Sequence, residues 1–568
     1  MSHPDFKAPC ANLLDLTQAL LAHVPHGEHG LVGVPETSGA ADATVKLRQA
    51  GSDADVAAAA LTGASPVAQA WAARGHIELR FDDDRIAALG AALECGAPEA
   101  LDTSDLRAGE RWIVDFSDPN ATKALHVGHL RNVAIGQCLA RMAEAAGISV
   151  TRYSRVSDFG RSTGEALAGY LRYGEGRSPA QHGVKGDHLI GDCYARYVID
   201  MTTDERAELS DERADQALSR EKDTRHDLAD ELLERWRSDD KEIARLYKQV
   251  REWTIDGQDA TLARLGIVMD CNLLESDYLD EGERFVDAAV ARGIITKTAG
   301  GATVYETGAK DYPRLLLQRN DGFPTQHLRY LATYLVARPL MVGATSISVL
   351  GQEWANLARY TVEILRQFEP DVDIHPKVVV THEMVVGKDG VVKSSKGDAP
   401  LIDVLLDMLA ASEPVAELCA RCERCEPERV AATVGLGYFL GQPVTKRVML
   451  SPDDLLDERK SVGWMLVRAW SKAWDSEFDG PPDPHAEDEV YRFVAAHSQR
   501  HRRLLARALE GYEGFKLVRF HFHFARWFND LTGLTPPVAR AARTVLDAGL
   551  QTLGLPAPGT PGLTGEAT

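Results

Sequence analysis

A chain of 568 residues with 44% hydrophobic and 26% charged side chains has room for three or four domains and the composition of an ordinary globular protein, not of a disordered or fibrous one. Its longest apolar run, residues 335–350, is broken by Arg338, Pro339 and Gly343 well short of the roughly 20 residues that span a bilayer, and no charged-then-apolar leader follows Met1, so a cytoplasmic protein without membrane contact is expected. The balance of 63 basic against 84 acidic residues, net −21, excludes a general nucleic-acid coat and leaves room for one focused basic face.

Residues 1–105 read as a small mixed domain: Leu13, Leu14, Leu20 and Leu21 lie at helical spacing, and residues 76–81 alternate polar and apolar as a strand does. A polar segment over 102–109 leads to a β-type run at 111–116, a Pro119-Asn120 turn and a helix predicted from about His126. This opening implies an α/β domain over 106–400, with further strands predicted at 150–154, 346–350 and 377–381. Between about 176 and 256 strand signals stop. Leu228, Leu232, Leu233, Trp236, Ile243, Leu246, Tyr247, Val250 and Trp253 recur at three- and four-residue steps there, which predicts a helical insertion with one buried stripe, read as scaffold. From 401 onward strand signals vanish and helical patterns take over, so 401–568 is expected to be a separate all-α domain, ending from about Leu555 in a tail too rich in Pro and Gly to pack.

Two stretches carry chemistry. His126 and His129 flank Gly128 at the predicted helix N-terminus, which sets two imidazoles on one face and lets a phosphorylated ligand such as ATP approach the backbone. Far downstream, Lys393-Ser394-Ser395-Lys396 frames two serines with two lysines in a loop suited to neutralising a triphosphate as pyrophosphate leaves. Alone, an H-x-G-H match arises by chance and a Lys-rich loop is usually a solvated turn. On the two halves of one α/β domain they form a constellation for nucleotidyl transfer.

With both motifs in place the chain resembles the class I aminoacyl-tRNA synthetases, whose signatures are of the HIGH and KMSKS types, and in detail the arginyl-tRNA synthetase family. Residues 117–131 follow that family's Ser-x-Pro-Asn-x-x-Lys-x-x-His-x-Gly-His-Leu-Arg at every position. Asp158-Phe159-Gly160 with Gly164 resembles its GDWGxQFG segment, and residues 321–325 resemble its DGTxTY segment. Residues 73–81 resemble the strand closing its N-terminal domain, and 524–530 with 538–555 the last helices of its anticodon-binding domain. The resemblance implies an α/β multidomain protein: a Rossmann-type HIGH/KMSKS catalytic domain with a helical insertion, a small N-terminal α+β domain that binds tRNA, and a C-terminal all-α anticodon-binding domain. It implies an enzyme that activates arginine with ATP as the aminoacyl-adenylate and passes it to the 2′-hydroxyl of the 3′-terminal adenosine of tRNA(Arg), with Mg2+ accompanying ATP; the sequence shows no dedicated protein cage for a metal, and a monomer is expected.

Carried over position by position, the resemblance makes His126, His129, Lys123, Lys393 and Lys396 catalytic, and His126, Gly128, His129, Lys393, Ser395 and Lys396 the ATP contacts. Asp115, Asn120, Ser154, Asp158, Gln326, Tyr330 and Gln352 become the amino-acid contacts. The family's Tyr-x-x-Arg-Asp segment reads Gln326-His327-Leu328-Arg329-Tyr330 here, and Ser154 and Ser162 depart from the pattern around Asp158. A guanidinium without its carboxylate partner would lose roughly 2 to 5 kcal/mol, which Gln352 or Glu353 could restore. Two other readings stay open at this point: a paralogue that activates a different amino acid or serves a specialised pathway, and a non-catalytic tRNA-binding regulator, against which the retained lysines and histidines speak.

Cys419, Cys422 and Cys425 offer three thiols where a tetrahedral zinc site needs four ligands, so they read as reduced structural cysteines. Arg500, Arg502, Arg503, Lys516 and Arg519 lie on helices with aromatic neighbours and are expected to meet tRNA phosphates.

Overall fold

The computed structural model describes residues 13, 17, 31–33, 43–46, 58–64, 66–73, 76–96, 101–200, 228–370, 377–387, 390–391, 400–474 and 484–559. Near the N-terminus, strands β1 (Leu31–Gly33), β2 (Ala43–Lys46), β3 (Val67–Ala73) and β4 (His76–Phe81) form an antiparallel sheet in the order β1-β2-β4-β3, followed by helix α1 (Asp83–Glu94). The alternation expected of residues 76–81 is realised: Ile77, Leu79 and Phe81 are buried and the residues between them are not.

The run at 111–115 becomes β5 (Arg111–Asp115), and helix α2 (Val127–Ala145) carries the chain to β6 (Ser149–Val156). Helix α3 (Arg161–Tyr173) leads into the insertion, α4 (Gly186–Asp200), α5 (Leu228–Arg237) and α6 (Lys241–Arg264), whose apolar stripe of Leu232, Ile243, Tyr247 and Val250 packs on Tyr170, Ile190 and Tyr194. Strand β7 (Cys271–Leu274) and α7 (Leu279–Ala291) come next, then three short antiparallel strands, β8 (Thr296–Lys297), β9 (Thr303–Glu306) and β10 (Arg314–Gln318), that the sequence patterns did not announce. After α8 (Gln326–Met341), β11 (Thr345–Gly351), α9 (Ala355–Phe368) and β12 (Lys377–His382) complete the central sheet.

That sheet is wholly parallel in the order β12-β11-β5-β6-β7. Helices cover both faces, which is why Trp112, Ile113 and Val114 are all buried instead of alternating. From β5 the chain runs outward through β6 and β7 on one side and later through β11 and β12 on the other. The order therefore reverses between β5 and β11, and their carboxyl ends, Asp115 and Ser348 side by side in register, open a crevice at the switch point.

Helices α10 (Ile402–Ala410), α11 (Glu413–Arg421), α12 (Pro427–Leu440), α13 (Val462–Trp474), α14 (Pro484–Gly511), α15 (Phe515–Asp530) and α16 (Pro536–Leu553) build the C-terminal region, sharing one core with α2 and α1. Two expectations are corrected here. A strand does occur beyond 401: β13 (Val385–Gly387) pairs with β14 (Gly390–Val391) and with β15 (Val448–Met449), the last too short to show any period. The start of the Pro/Gly tail packs: Leu555 is buried, Pro558 O accepts from Glu426 N–H at 2.9 Å, and the Thr433 hydroxyl donates to Pro556 O. An extended Pro-rich segment has fewer donors to satisfy and still offers carbonyls, so it can line a helix surface. Among the described residues no helix is long and apolar enough to cross a membrane.

Candidate functional site

β5 ends at Asp115, and Ser117 and Asp118 then take φ of 88° and 38°, a turn in the left-handed region that non-glycine residues seldom adopt and that marks functional loops. Ser157 N–H donates to Pro119 O (2.9 Å) and Ala121 N–H to Ser157 O (3.0 Å), tying the turn to the end of β6. The Gln258 amide of α6 donates to Asn120 O and Lys123 O, both at 2.7 Å. The insertion is thus more than scaffold, because one of its helices sets the path of the loop that enters α2.

His126 caps α2. Its Nδ1 accepts from Gly128 N–H at 3.1 Å, and His129 Nδ1 accepts from His126 N–H at 3.1 Å, with the two rings 3.9 Å apart. Burial, and then the charge of Lys123, push His126 down to about 4; burial, His126 and Lys123 hold His129 well below the ordinary histidine range. Both rings are neutral near pH 7, and with Nδ1 used as acceptor each must carry its proton on Nε2. The result is a pair of N–H donors at the N-terminus of a 19-residue helix, where the helix dipole also favours an anion. Gly128 serves the cap itself: a Cβ there would stand 2.8 Å from the His126 ring.

Lys393, Ser395 and Lys396 lie outside the described residues; the described residues that follow them, from Pro400, are tied to this turn. Val127 N–H donates to Pro400 O (3.0 Å), Ile402 N–H donates to Leu125 O (3.0 Å), and His126 bridges Leu401. Just beyond, Asp403 accepts from Lys185 (2.6 Å), Thr261 (2.9 Å) and Arg264 (2.9 Å) and contacts His188, which anchors the segment to the insertion. Asp187, His188 and Asp403 are the one grouping of metal-capable ligands among the described residues, and Lys185 and Arg264 already supply its positive charge. Arg131, wholly buried in α2, spends its guanidinium on the carbonyls of Glu383, Pro443, Val444 and Lys446.

A few residues upstream the crevice is charged. Buried Asp115 accepts from the Ser348 hydroxyl at 3.1 Å through Oδ2, while its Oδ1 has no hydrogen-bond partner among the described residues. Asp118 Oδ2 pairs with the Arg155 guanidinium at 2.7 Å, and its carboxyl also lies within hydrogen-bond reach of that of Asp115. Burial drives Asp118 up to about 7; Arg155 opposes the rise and the Asp115 carboxyl adds to it. Arg155 also lies 4.0 Å over the ring of buried Tyr330.

Of the residues expected to contact the amino acid, the structure brings Asp115 and Tyr330 together with Arg155; Asn120 bridges Ser157, and Ser154, between Tyr153 and Arg155 in β6, faces the other side of the sheet with its hydroxyl buried. Asp158 is fully buried: Tyr247, Ser276 N–H, the Ser276 hydroxyl and Arg251 all donate to it at 2.6 to 3.2 Å. It fastens the insertion to the sheet, with Oδ2 taking three of the four donors, so the structure gives it a fastening role where a ligand contact was expected. Gln326, at the first position of α8, and Gln352 are exposed and are not brought into the cluster. Sequence reasoning missed Arg155, Asp118, Ser348 and Gln258; the one readable signal was Ser348, a polar residue between Ile347 and Val349 of an apolar strand.

In the C-terminal region Arg502 pairs with Asp105 at 2.6 and 2.8 Å, so it pins α14 to the linker after the N-terminal domain instead of facing open solvent. Arg500 lies over Phe520, Arg519 over Phe522, Arg503 is partly buried, and Lys516 is exposed. Cys419, Cys422 and Cys425 are free thiols around the turn from α11 to α12, the last two buried, and the neighbouring Cys425 draws Cys422 down to about 6.

Residues 99–447 match the family model described as tRNA synthetases class I (R), catalytic domain. Among curated proteins, the chain is 27% identical over 423 residues to the arginine–tRNA ligase of Phocaeicola vulgatus, covering 71% of this chain and 68% of the relative. It is 28% identical over 364 residues to that of Treponema pallidum, covering 62% and 58%. These alignments thus span about two thirds of the relatives' length or less. Among solved structures, the Thermus thermophilus arginyl-tRNA synthetase superposes with a TM-score of 0.67 at 18% identity, covering 97% of this chain and 100% of the other. That of Plasmodium falciparum gives 0.62 at 13% identity over 96% and 98%. At such identities the structural likeness is one of fold.

Proposed function

This chain belongs to the class I tRNA synthetases of the (R) type, and on that premise we propose that it activates arginine with ATP and transfers it to the 3′-terminal adenosine of tRNA. The observation that carries the reading is the neutral His126–His129 pair, two Nε2–H donors at a helix N-terminus, reached from a strand that ends at the switch point of a parallel sheet.

In this reading the amino acid's ammonium sits against Asp115 Oδ1, which directs its carboxylate toward the α-phosphorus of ATP. A carboxylate oxygen attacks in line, the bond from the α-phosphorus to the bridging oxygen breaks, and its electron pair leaves on pyrophosphate with Mg2+. The nucleophile is already ionised, so no general base is needed, and the protein contributes orientation and charge stabilisation. His126 and His129 donate to phosphate oxygens, and Lys123, with Lys393 and Lys396 of the second motif, adds positive charge. In the second step a ribose hydroxyl of tRNA attacks the acyl carbon and AMP leaves, its phosphate well placed to take the hydroxyl proton. Arg500, Lys516 and Arg519 supply the phosphate contacts for tRNA.

The test is ATP–pyrophosphate exchange across a panel of amino acids, with and without bulk tRNA. Arginine-selective exchange supports the reading, and exchange driven by another amino acid replaces arginine. One observation favours that second outcome: the chain's own Arg155 stands beside Asp118 and Tyr330 in the crevice.

A further inference from the structure

We propose that Arg155 decides which amino acids the crevice accepts, because its guanidinium fills the seat that a cationic substrate side chain would otherwise take. The inference rests on the reading above, in which the substrate ammonium lies at Asp115. The seat is a carboxylate edge next to an aromatic face, the combination that binds a planar, delocalised cation through charge-assisted hydrogen bonds and stacking. Asp118 Oδ2 and the Tyr330 ring provide it, and Arg155 occupies it at 2.7 and 4.0 Å.

Three further features make this a matter of specificity and not only of packing. Tyr330 is hydrogen-bonded to Ser348, which in turn donates to Asp115, so the seat and the ammonium position share one network. Besides Asp118, the charges of buried Asp115 and Glu275 reach Arg155; Glu275 already accepts from Arg329 at 2.8 Å and from Ser157 at 2.9 Å, and so is committed elsewhere. The Arg155 and Asp118 side chains keep 12% and 21% of their surface exposed, so a ligand can reach the pair. An incoming guanidinium must therefore displace Arg155. Its apparent affinity falls by the fraction of molecules in which the seat is vacant. Neutral amino acids, which do not compete for the seat, escape that penalty.

The experiment compares wild type, Arg155→Ala and Arg155→Lys in thermal melts with L-arginine, L-citrulline and millimolar guanidinium chloride against sodium chloride, alongside ATP–pyrophosphate exchange. Arg155→Ala is expected to be stabilised saturably by guanidinium and arginine but not by citrulline, and to bind arginine about tenfold or more tightly than wild type. Arg155→Lys, which keeps a cation near Asp118, should gain little. If Arg155→Ala does not fold, Arg155→Met keeps the packing on Tyr330 and replaces it. Arginine binding in the folded variant no tighter than in wild type overturns the proposal. The two readings fail separately: guanidinium-selective binding in Arg155→Ala with no arginine-dependent exchange in either form keeps the seat and removes arginine as substrate. Arginine-dependent exchange whose KM is unmoved by Arg155→Ala keeps the substrate and removes the seat.

Discussion

At the helix end of the crevice His126 and His129 are neutral and are held by backbone N–H groups within three residues of them, whereas just upstream Asp115 and Asp118 meet Arg155 and Tyr330 from other strands and helices. The contrast follows from what each end must hold. A triphosphate brings its own charge, so oriented N–H donors suffice, and neutral imidazoles avoid the cost of an uncompensated buried cation. An amino acid brings a cation to a low-dielectric floor, so the acids and the arginine already there determine whether it is welcome.

The largest test of this contrast is His129→Ala. Loss of one preorganised donor should lower kcat/KM for exchange by roughly 10² to 10³, with a melting temperature close to wild type. Activity within a few-fold of wild type would mean that the phosphates lie elsewhere. Asp115→Asn should next raise the amino-acid KM by about 10² while leaving the ATP KM nearly unchanged, since it removes the charge facing the ammonium but keeps the shape. A matched rise in both KM values would show that Asp115 organises the whole turn.

A pH series separates the ends further. His126, at about 4, stays neutral down to about pH 5, so the ATP KM should be flat from pH 8 to 5 instead of turning near 6.5. Asp118, raised to about 7, is increasingly neutral below that value and charged above it, so its hold on Arg155 should tighten from pH 6 to 8 and L-arginine binding should weaken by up to about tenfold over that range, with binding of neutral amino acids little changed. Identical profiles for both substrates would erase the distinction. The smallest effect is expected from Gly128→Ala: its Cβ pushes the His126 ring off the cap, costing about 1 kcal/mol of stability, read from the melting curve, and a few-fold in ATP KM.

Much of the architecture was legible because it is written in short windows. The β-type run at 111–116, the strand at 346–350, the turn at Pro119 and the helix start near His126 each depend on neighbours within one helical turn or one strand, and all appear where expected. Residues 76–81 and the stripe from Leu232 to Val250 did so for the same reason. The strands at 296–297, 303–306 and 448–449 escaped because two to four residues cannot display a period.

The sequence by itself determined the parallel α/β core, the helical C-terminal region and the two donors at the start of α2, since periodicity and capping are local properties of the chain. Only the tertiary structure decided that Asp158 is spent on Tyr247 and Ser276, that Arg502 pins Asp105, and that Arg155 rests between Asp118 and Tyr330. A charged side chain reads the same in sequence whether it faces a ligand or another residue. Strand order and the packing of the insertion choose its partner, and that choice is made between residues tens to hundreds of positions apart.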